Sequence, residues 1–369
     1  MDYSKSGVDV DIEAKASQML YEASKKTFAN RTGRTGEVLS MFDDFSGLRA
    51  AKADFPPGTY MCMGFDTVGT KVEIAQRMNF HKTIAFDLLA MVCDDAIVRG
   101  AEPVLAGSNL DVTSLGTDNS NLWIIEQLAE GYVEAAKAAN VAVINGELCQ
   151  LGNAVGGYGK FAYNWGASVV WLAKKEKLFT GKEIKEGDSV VVFEEEGFRT
   201  NGITLMRKIF ESSLGKEWHE TKFEGDKLGN HALRPSKIYS KALVAMHGPM
   251  GGGSSEINGV AHITGGGVAH KVARILKPAG LGAKLDSLFS PCHAMKYCQE
   301  LGNVSDFEAY KTWNMGQGLA VVTPEPDNVM KEAERFGIVS RLAGAITNDG
   351  KISIESHGRD GGSLSYPVK

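Results

Sequence analysis

The chain has 369 residues, of which 43% are hydrophobic and 23% charged, with a formal net charge of −5. That length suits two domains, each large enough for its own core, and the balance is that of a soluble globular protein. The mild negative charge leaves no basic footprint for nucleic acid. The N-terminus, MDYSKSGVDVDIEAK, lacks a basic start and an apolar core, so it does not read as a signal peptide, and no run reaches membrane-span length. Five cysteines (Cys62, Cys93, Cys149, Cys292, Cys298) include no C-x-x-C pair, which points to reduced thiols in a cytoplasm. The 43 glycines, about 12% of the chain against an average near 7%, cluster in short turns where backbone could approach a ligand closely.

In chain order, Ile12 to Phe28 has a helical pattern, and residues 31–57 are polar and glycine-punctuated. A β-prone run from Thr59 ends at Phe65, and helical spacing resumes at Val72. Thr83 to Pro103 is helical and apolar up to the stop at Gly100-Ala101-Glu102-Pro103. Val104 to Val112 is β-prone, Asn121 to Asn140 is an amphipathic helix, and Val141 to Gly146 and Gly166 to Leu172 read as strands. A charged connector, Lys174 to Lys185, places a boundary near 175. This gives domains at 1–175 and 176–369. The second domain opens with Ser189 to Phe193. Helices are expected at Ile203 to Ser212, Lys237 to Met246 and Gly267 to Leu276, with strands near Leu319 to Thr323 and Ile352 to Glu355 closing it.

Three acids interrupt the apolar helix: Asp87, Asp94 and Asp95. At 3.6 residues per turn Asp87 and Asp94 lie about 20° apart, and Asp95 is about 80° from Asp87. Charged groups are rarely buried without a partner, so acids beside a core-facing stripe suggest a cation. The alternative is that Asp94 and Asp95 are simply solvated on the outer helix face. A second candidate is Asp66-Thr67-Val68-Gly69-Thr70-Lys71, a strand end followed by an acid, a glycine turn and a lysine, as an anion or nucleotide-phosphate site would need. It lacks the spacing of the Walker pattern, and an ordinary turn with a solvent-facing lysine would have the same sequence. Thr264-Gly265-Gly266-Gly267 opens a helix, where N–H groups clear of side chains could bind an anion or a threonine could cap a tight turn. Asn201 follows a turn and precedes a helix, so it could cap that helix or touch ligand. Of the eight histidines, none has metal-ligand spacing, and His262 reads as a satisfied core residue.

D-T-V-G-T-K, T-I-A-F-D-L-L-A-M and D-A-I-V-R-G-A-E-P together resemble the phosphoribosylformylglycinamidine cyclo-ligase (AIR synthetase) family. Further segments agree in order: Tyr3 to Asp11, Gly146-Glu147, Gly197 to Arg207, Pro235 to Tyr239, His262 to Gly267 and Thr312 to Gly318. The resemblance implies an α/β (α+β) protein of two domains, with an N-terminal ATP-binding sheet domain that pairs in a homodimer and a C-terminal α/β domain. It also implies ATP-dependent ring closure of a small phosphorylated ribonucleotide. ATP phosphorylates the formamide oxygen, the neighbouring amine attacks that carbon, and phosphate leaves. Such chemistry needs positioning and charge compensation rather than a protein nucleophile. Mg²⁺ is the expected cofactor, with Asp66, Asp95 and Glu147 as its ligands. Asp95, Lys71 and Asn201 are the expected catalytic residues. Asp66, Gly69, Thr70, Lys71, Asp87, Gly146, Glu147, Thr264, Gly265 and Gly266 are expected to bind ATP or substrate phosphate.

Four departures from the family pattern fall near the expected site. Its N-terminal glycine loop is replaced by Arg31 to Glu37, where Arg34 could supply charge. Its H-S-N-G histidine is Arg199. An aspartate-tyrosine pair becomes Ser108-Asn109, and the second acid of its G-E-T-A-E segment is lost in Gly146-Glu147-Leu148-Cys149-Gln150. These departures leave open a phosphotransferase of the same superfamily acting on another small substrate. A non-catalytic nucleotide-binding subunit fits less well with retention of Asp66, Lys71, Asp87 and Asp95.

Overall fold

The computed structural model describes residues 10–40 and 49–368. The Tyr3 to Asp9 part of the opening motif lies outside the described residues. The chain forms two compact units, one of Met1–Ala96 with Glu102–Leu172 and the other of Ile97–Ala101 with Ala173–Lys369.

In the first unit, α1 (Val10–Thr27) precedes a short antiparallel pair, β1 (Val38–Ser40) and β2 (Arg49–Ala51). Then follow β3 (Thr59–Thr67), α2 (Lys71–Met78), α3 (Ile84–Ile97), β4 (Glu102–Val112), α4 (Leu122–Ala139), β5 (Ala142–Gln150) and β6 (Tyr163–Lys174). The sheet order is β3-β6-β4-β5, with β4 parallel to β5 and antiparallel to β6. The parallel pair is joined through α4, as a parallel connection requires. On β6, Tyr163, Trp165, Ala167 and Val169 are buried and alternate with Asn164, Gly166 and Ser168, so one face of the sheet is packed and the other open. Most of α3 is apolar on every side, and Ile84, Ala85, Leu88, Leu89, Ala90 and Cys93 are fully buried, as expected of a core helix. Helix α4 ends at Asn140, whose left-handed φ of 59° stops the helix at tolerable cost.

The second unit contains β7 (Ser189–Glu194), α5 (Ile203–Leu214), β8 (Lys222–Phe223), β9 (Asp226–Lys227), α6 (Leu228–Leu233), α7 (Ser240–His247), β10 (Gly259–His262) and α8 (Gly267–Leu276). It continues through β11 (Gly282–Leu285), α9 (His293–Leu301), α10 (Asp306–Thr312), β12 (Gln317–Thr323), α11 (Pro326–Arg335), β13 (Ser340–Thr347), β14 (Lys351–Glu355) and β15 (Ser363–Pro367). The main sheet runs β10-β12-β7-β13-β11-β14-β15, antiparallel except for β11 against β14. Strand β7 lies third in that order, and Val190 to Phe193 are fully buried, which matches its unbroken apolar sequence. Val191, Phe193, Tyr239, Leu243, Met246, Val260, Leu319, Val321 and Val329 form one core. Strand β14 does not close the unit as the sequence suggested. Strand β15 adds beyond it, pairing Ile352 with Tyr366 and Ile354 with Leu364. Its alternation, Ser363-Leu364-Ser365-Tyr366, is too short and polar to announce a strand.

Candidate functional site

On the open face of the first sheet, Phe65, Asp66, Thr67, Gly107, Ser108, Asn109, Asn145, Gly146, Glu147 and Ser168 line a trough of about 630 Å³. Asp66, Gly146 and Glu147 are exposed there. Asp66 accepts from the Thr67 N–H at 2.7 Å, which fixes the start of the turn. Gly69, exposed at φ +56°, carries the chain round to Thr70 and α2. Asp66 and Glu147 stand on the two edge strands, three strand spacings or roughly 14 Å apart. That is too far to share one ion within the chain.

The expected Asp66–Asp95–Glu147 metal set therefore is not gathered, and no group of three or more potential metal-ligating acids, histidines or cysteines occurs among the described residues. Asp95 is exposed on α3, whereas Asp87 and Asp94 are fully buried. The solvated alternative thus holds for Asp95 and fails for Asp94. The 20° and 80° offsets place the first two on one side and the third on another.

Lys71 does not face solvent as an ordinary turn lysine would. Its side chain is fully buried, and Nζ lies 2.8 Å from Asp87 Oδ1, itself fully buried. Two charges at this depth are tolerable only as a pair. Nearby, burial lifts the Tyr163 phenol above its usual range, with Asp87 adding to the shift. Tyr163 is 3.0 Å from His81 Nδ1. Burial depresses the His81 pKa to about 4.

A deeper cavity of about 680 Å³ lies beside the β4–β5 edge. Its walls include Tyr21 of α1, Arg49, Ser108, Tyr132, Glu147 and Trp165. The Arg49 guanidinium sits 4.3 Å from the Tyr21 ring centroid, a cation–π contact. Tyr132 and Trp165 meet edge to face at 5.0 Å, and the buried Trp165 Nε1 has no hydrogen-bond partner, so a polar acceptor entering here would satisfy it. Ser108 and Glu147 line both hollows. Sequence reasoning missed Tyr21, Arg49, Tyr132 and Trp165 because they are scattered over four elements and carry no motif. Leu148 is buried, and Arg34 is exposed. Arg31 instead is buried against Glu102 at 2.7 Å and also donates to Thr35 O.

In the second unit four sequence segments meet at the ends of β7, β10 and β12. Arg199 is fully buried at φ +58°. Its Nη1 lies 2.7 Å from Glu195 Oε2 and donates to Lys237 O at 3.2 Å, and its Nη2 donates to His262 Nε2 at 2.7 Å. Glu195 Oε2 also accepts from the Lys237 N–H at 3.1 Å. Trp313 Nε1 donates to Gly202 O, and Asn314 donates to Gly197 O. Asn201 lies against Gly265, since a Cβ on Gly265 would stand 3.1 Å from Asn201 Oδ1.

Neither α5 nor α8 has a side-chain cap, and Gly202 and Gly266 occupy the cap positions. Asn201 and Thr264 thus do not hold those positions, and the turn before α8 forms through Gly267 N–H to Thr264 O. Gly266 at φ +98° and Gly267 at φ +61° adopt backbone that side chains disfavour. The helix start is left open, with Gly265 exposed and Thr264 half-buried. Glu195 was missed, and the signal was Glu194-Glu195-Glu196 ending an apolar strand. Lys237, and less strongly Arg234, hold Glu196 below the usual carboxylate range. Burial pushes the nearby Cys292 thiol up to about 11, which makes it a poor nucleophile.

Two family profiles match the chain. The N-terminal domain of AIR synthase related proteins matches residues 47–167, and the C-terminal domain matches residues 185–357. The phosphoribosylformylglycinamidine cyclo-ligase of Thermoanaerobacter pseudethanolicus is 32% identical over 360 residues, covering 97% of this chain and 99% of that protein. The enzyme of that name from Pyrococcus horikoshii is 30% identical, covering 96% and 98%. Among solved structures, thiamine-monophosphate kinase from Stenotrophomonas maltophilia superposes with a TM-score of 0.63 at 13% identity, covering 91% of this chain and 96% of that one. The hydrogenase maturation protein HypE in complex with ATP gives 0.59 at 14%, covering 92% and 91%. At such identities the structural likeness speaks for the fold alone.

Proposed function

Because the chain belongs to the AIR synthase related family, and cyclo-ligases match it almost end to end, we propose that it converts formylglycinamidine ribonucleotide to aminoimidazole ribonucleotide at the expense of ATP. The observation that carries this reading is the meeting of Gly197–Gly202, Pro235–Tyr239, His262–Gly267 and Thr312–Gly318 around one buried ion pair. These are segments on which the family resemblance rests. Arg199 is neutralised by Glu195, so its departure from the family histidine adds no extra cation that would call for a different substrate.

The first unit supplies the nucleotide groups at the turn, Asp66, Gly69 and Thr70, and the buried Lys71–Asp87 pair braces that turn from behind rather than facing phosphate. The cavity with Arg49 and Trp165 suits a nucleoside polyphosphate in size and donor character. The second unit supplies Asn201 and the open α8 start, with Thr264, Gly265 and Gly266, for the ribonucleotide phosphate. Magnesium usually takes one or two carboxylates plus substrate phosphates. A single exposed carboxylate among Asp66, Asp95 and Glu147, together with substrate phosphates, would meet that demand without a three-carboxylate cluster, and the ion would balance phosphate charge. The β3 edge exposes Tyr60, Met61, Met63 and Phe65, which a homodimer would cover. No helix among the described residues is long and apolar enough to cross a membrane, which accords with a cytoplasmic enzyme.

The test is ADP release by the purified protein with ATP, Mg²⁺ and formylglycinamidine ribonucleotide, against a control lacking the ribonucleotide. Ribonucleotide-dependent ADP with an equal yield of aminoimidazole ribonucleotide supports the reading. Nucleotide binding without turnover would redirect the search to other small phosphorylated substrates.

A further inference from the structure

Arg199 combines features that a mere filler of space would not need. It is wholly buried, adopts left-handed backbone without being glycine, and spends its donors on three different segments. Its carboxylate partner is itself fixed, because Glu195 accepts from the Lys237 N–H with one oxygen and from the Glu196 N–H with the other. The guanidinium carbon also stands 5.6 Å from the Tyr239 ring, whose hydroxyl donates to Glu194 O. The guanidinium therefore has little room to rotate.

A guanidinium only donates hydrogen bonds. At 2.7 Å from Arg199 Nη2, the Nε2 atom of His262 must accept, so the ring hydrogen of neutral His262 sits on Nδ1. His262 is the last residue of β10, and the chain runs from it directly through Ile263 into the Thr264–Gly267 turn. Holding this ring holds the strand end from which the turn springs. We propose that Arg199, anchored by Glu195, is a positioning residue that locks His262 in its Nδ1–H tautomer and so sets the Thr264–Gly267 turn. In this arrangement Arg199 is not a substrate ligand, and His262 cannot accept a proton through Nε2. The placement of the turn as a phosphate site rests on the proposed cyclo-ligase reading, but the tautomer does not.

The test is a long-range ¹H–¹⁵N spectrum of the ¹⁵N-histidine-labelled full chain at neutral pH, with the His262 signal assigned by its loss in His262→Gln. The expected spectrum is that of an Nδ1-protonated ring. An Nε2-protonated ring overturns the proposal whatever the protein's substrate. In Arg199→Lys a single ammonium replaces the fork and cannot serve Glu195 and His262 together. The His262 signal should move towards a mixture of tautomers, and kcat/KM for the ribonucleotide in ADP release should fall at least tenfold. A tenfold fall with the Nδ1–H signature of His262 unchanged would mean that Arg199 acts without His262, and would overturn the positioning role. Should Arg199→Lys fail to fold, Glu195→Gln/Arg199→Met removes both charges and gives the same spectral readout. An unchanged Nδ1–H signature in that variant also overturns the proposal.

Discussion

Replacing Arg199 by histidine, the residue of the family pattern, should be harmful unless Glu195 is changed with it. The pair is 2.7 Å apart with both side chains fully buried. At an effective dielectric constant of 20 the attraction is about 6 kcal/mol, offset by a desolvation cost of several kcal/mol for each ion. The net worth of the intact pair is therefore small, but removing one member strands the other. Arg199→His should cost about 3–5 kcal/mol, because Glu195 would be left in the core without its guanidinium, held only by two backbone N–H groups and a long Tyr239 hydroxyl contact at 3.5 Å. Glu195→Gln/Arg199→His should recover at least half of that loss. Urea unfolding of wild type, both single variants and the double variant gives the cycle, with a coupling of about 3 kcal/mol expected. A single Arg199→His cost below about 1 kcal/mol, or strictly additive losses, would refute the burial argument.

The same logic applies in the first unit. Lys71→Met should cost about 3–5 kcal/mol in urea unfolding by stranding Asp87, and a loss under about 1 kcal/mol would mean that Asp87 finds other compensation. Asp95→Asn, on the exposed side of α3, should change stability by no more than about 0.5 kcal/mol while abolishing ribonucleotide-dependent ADP release; unchanged turnover would remove Asp95 from the mechanism. His81 is neutral in the folded chain down to about pH 4 but titrates near 6.5 when unfolded. Its contribution is complete above pH 6.5 and is lost as pH falls towards 4, by at most about 3 kcal/mol. Unfolding free energies of His81→Gln should fall less steeply than wild type over that window, and parallel curves would contradict the assignment. Gly318→Ala would bring a Cβ to 2.0 Å from the Tyr239 hydroxyl. It should cost about 1–3 kcal/mol in thermal or urea unfolding, and a neutral effect would show that Tyr239 moves aside freely.

Local pattern made much of this molecule legible. The apolar run with acids at 87, 94 and 95 predicted a helix with a buried side, and helix geometry put Asp87 and Asp94 on one face, but not that this face is the buried one and that Asp95 alone is exposed. The boundaries of α4 and α8 followed from their periodicity and from Asn140 and the glycine turn. Pairings made by tertiary structure were not legible. Nothing local says that Lys71 turns in to meet Asp87, sixteen residues on. Of Glu194, Glu195 and Glu196, the middle acid is the one held by Arg199, and only the register of β7 and the left-handed backbone at Arg199 decide that. The wide separation of Asp66 from Glu147 depends on strand order, which motifs do not encode. Strands β10 and β11 were missed because each has only four residues.

The central claim is that ATP activates the formamide oxygen before ring closure. Turnover of formylglycinamidine ribonucleotide carrying ¹⁸O in its formyl group, with mass analysis of the phosphate released, tests it most directly. The account predicts one ¹⁸O atom in each phosphate, because the phosphorylated oxygen departs with its phosphorus. Unlabelled phosphate, with the ¹⁸O recovered in water, would contradict it.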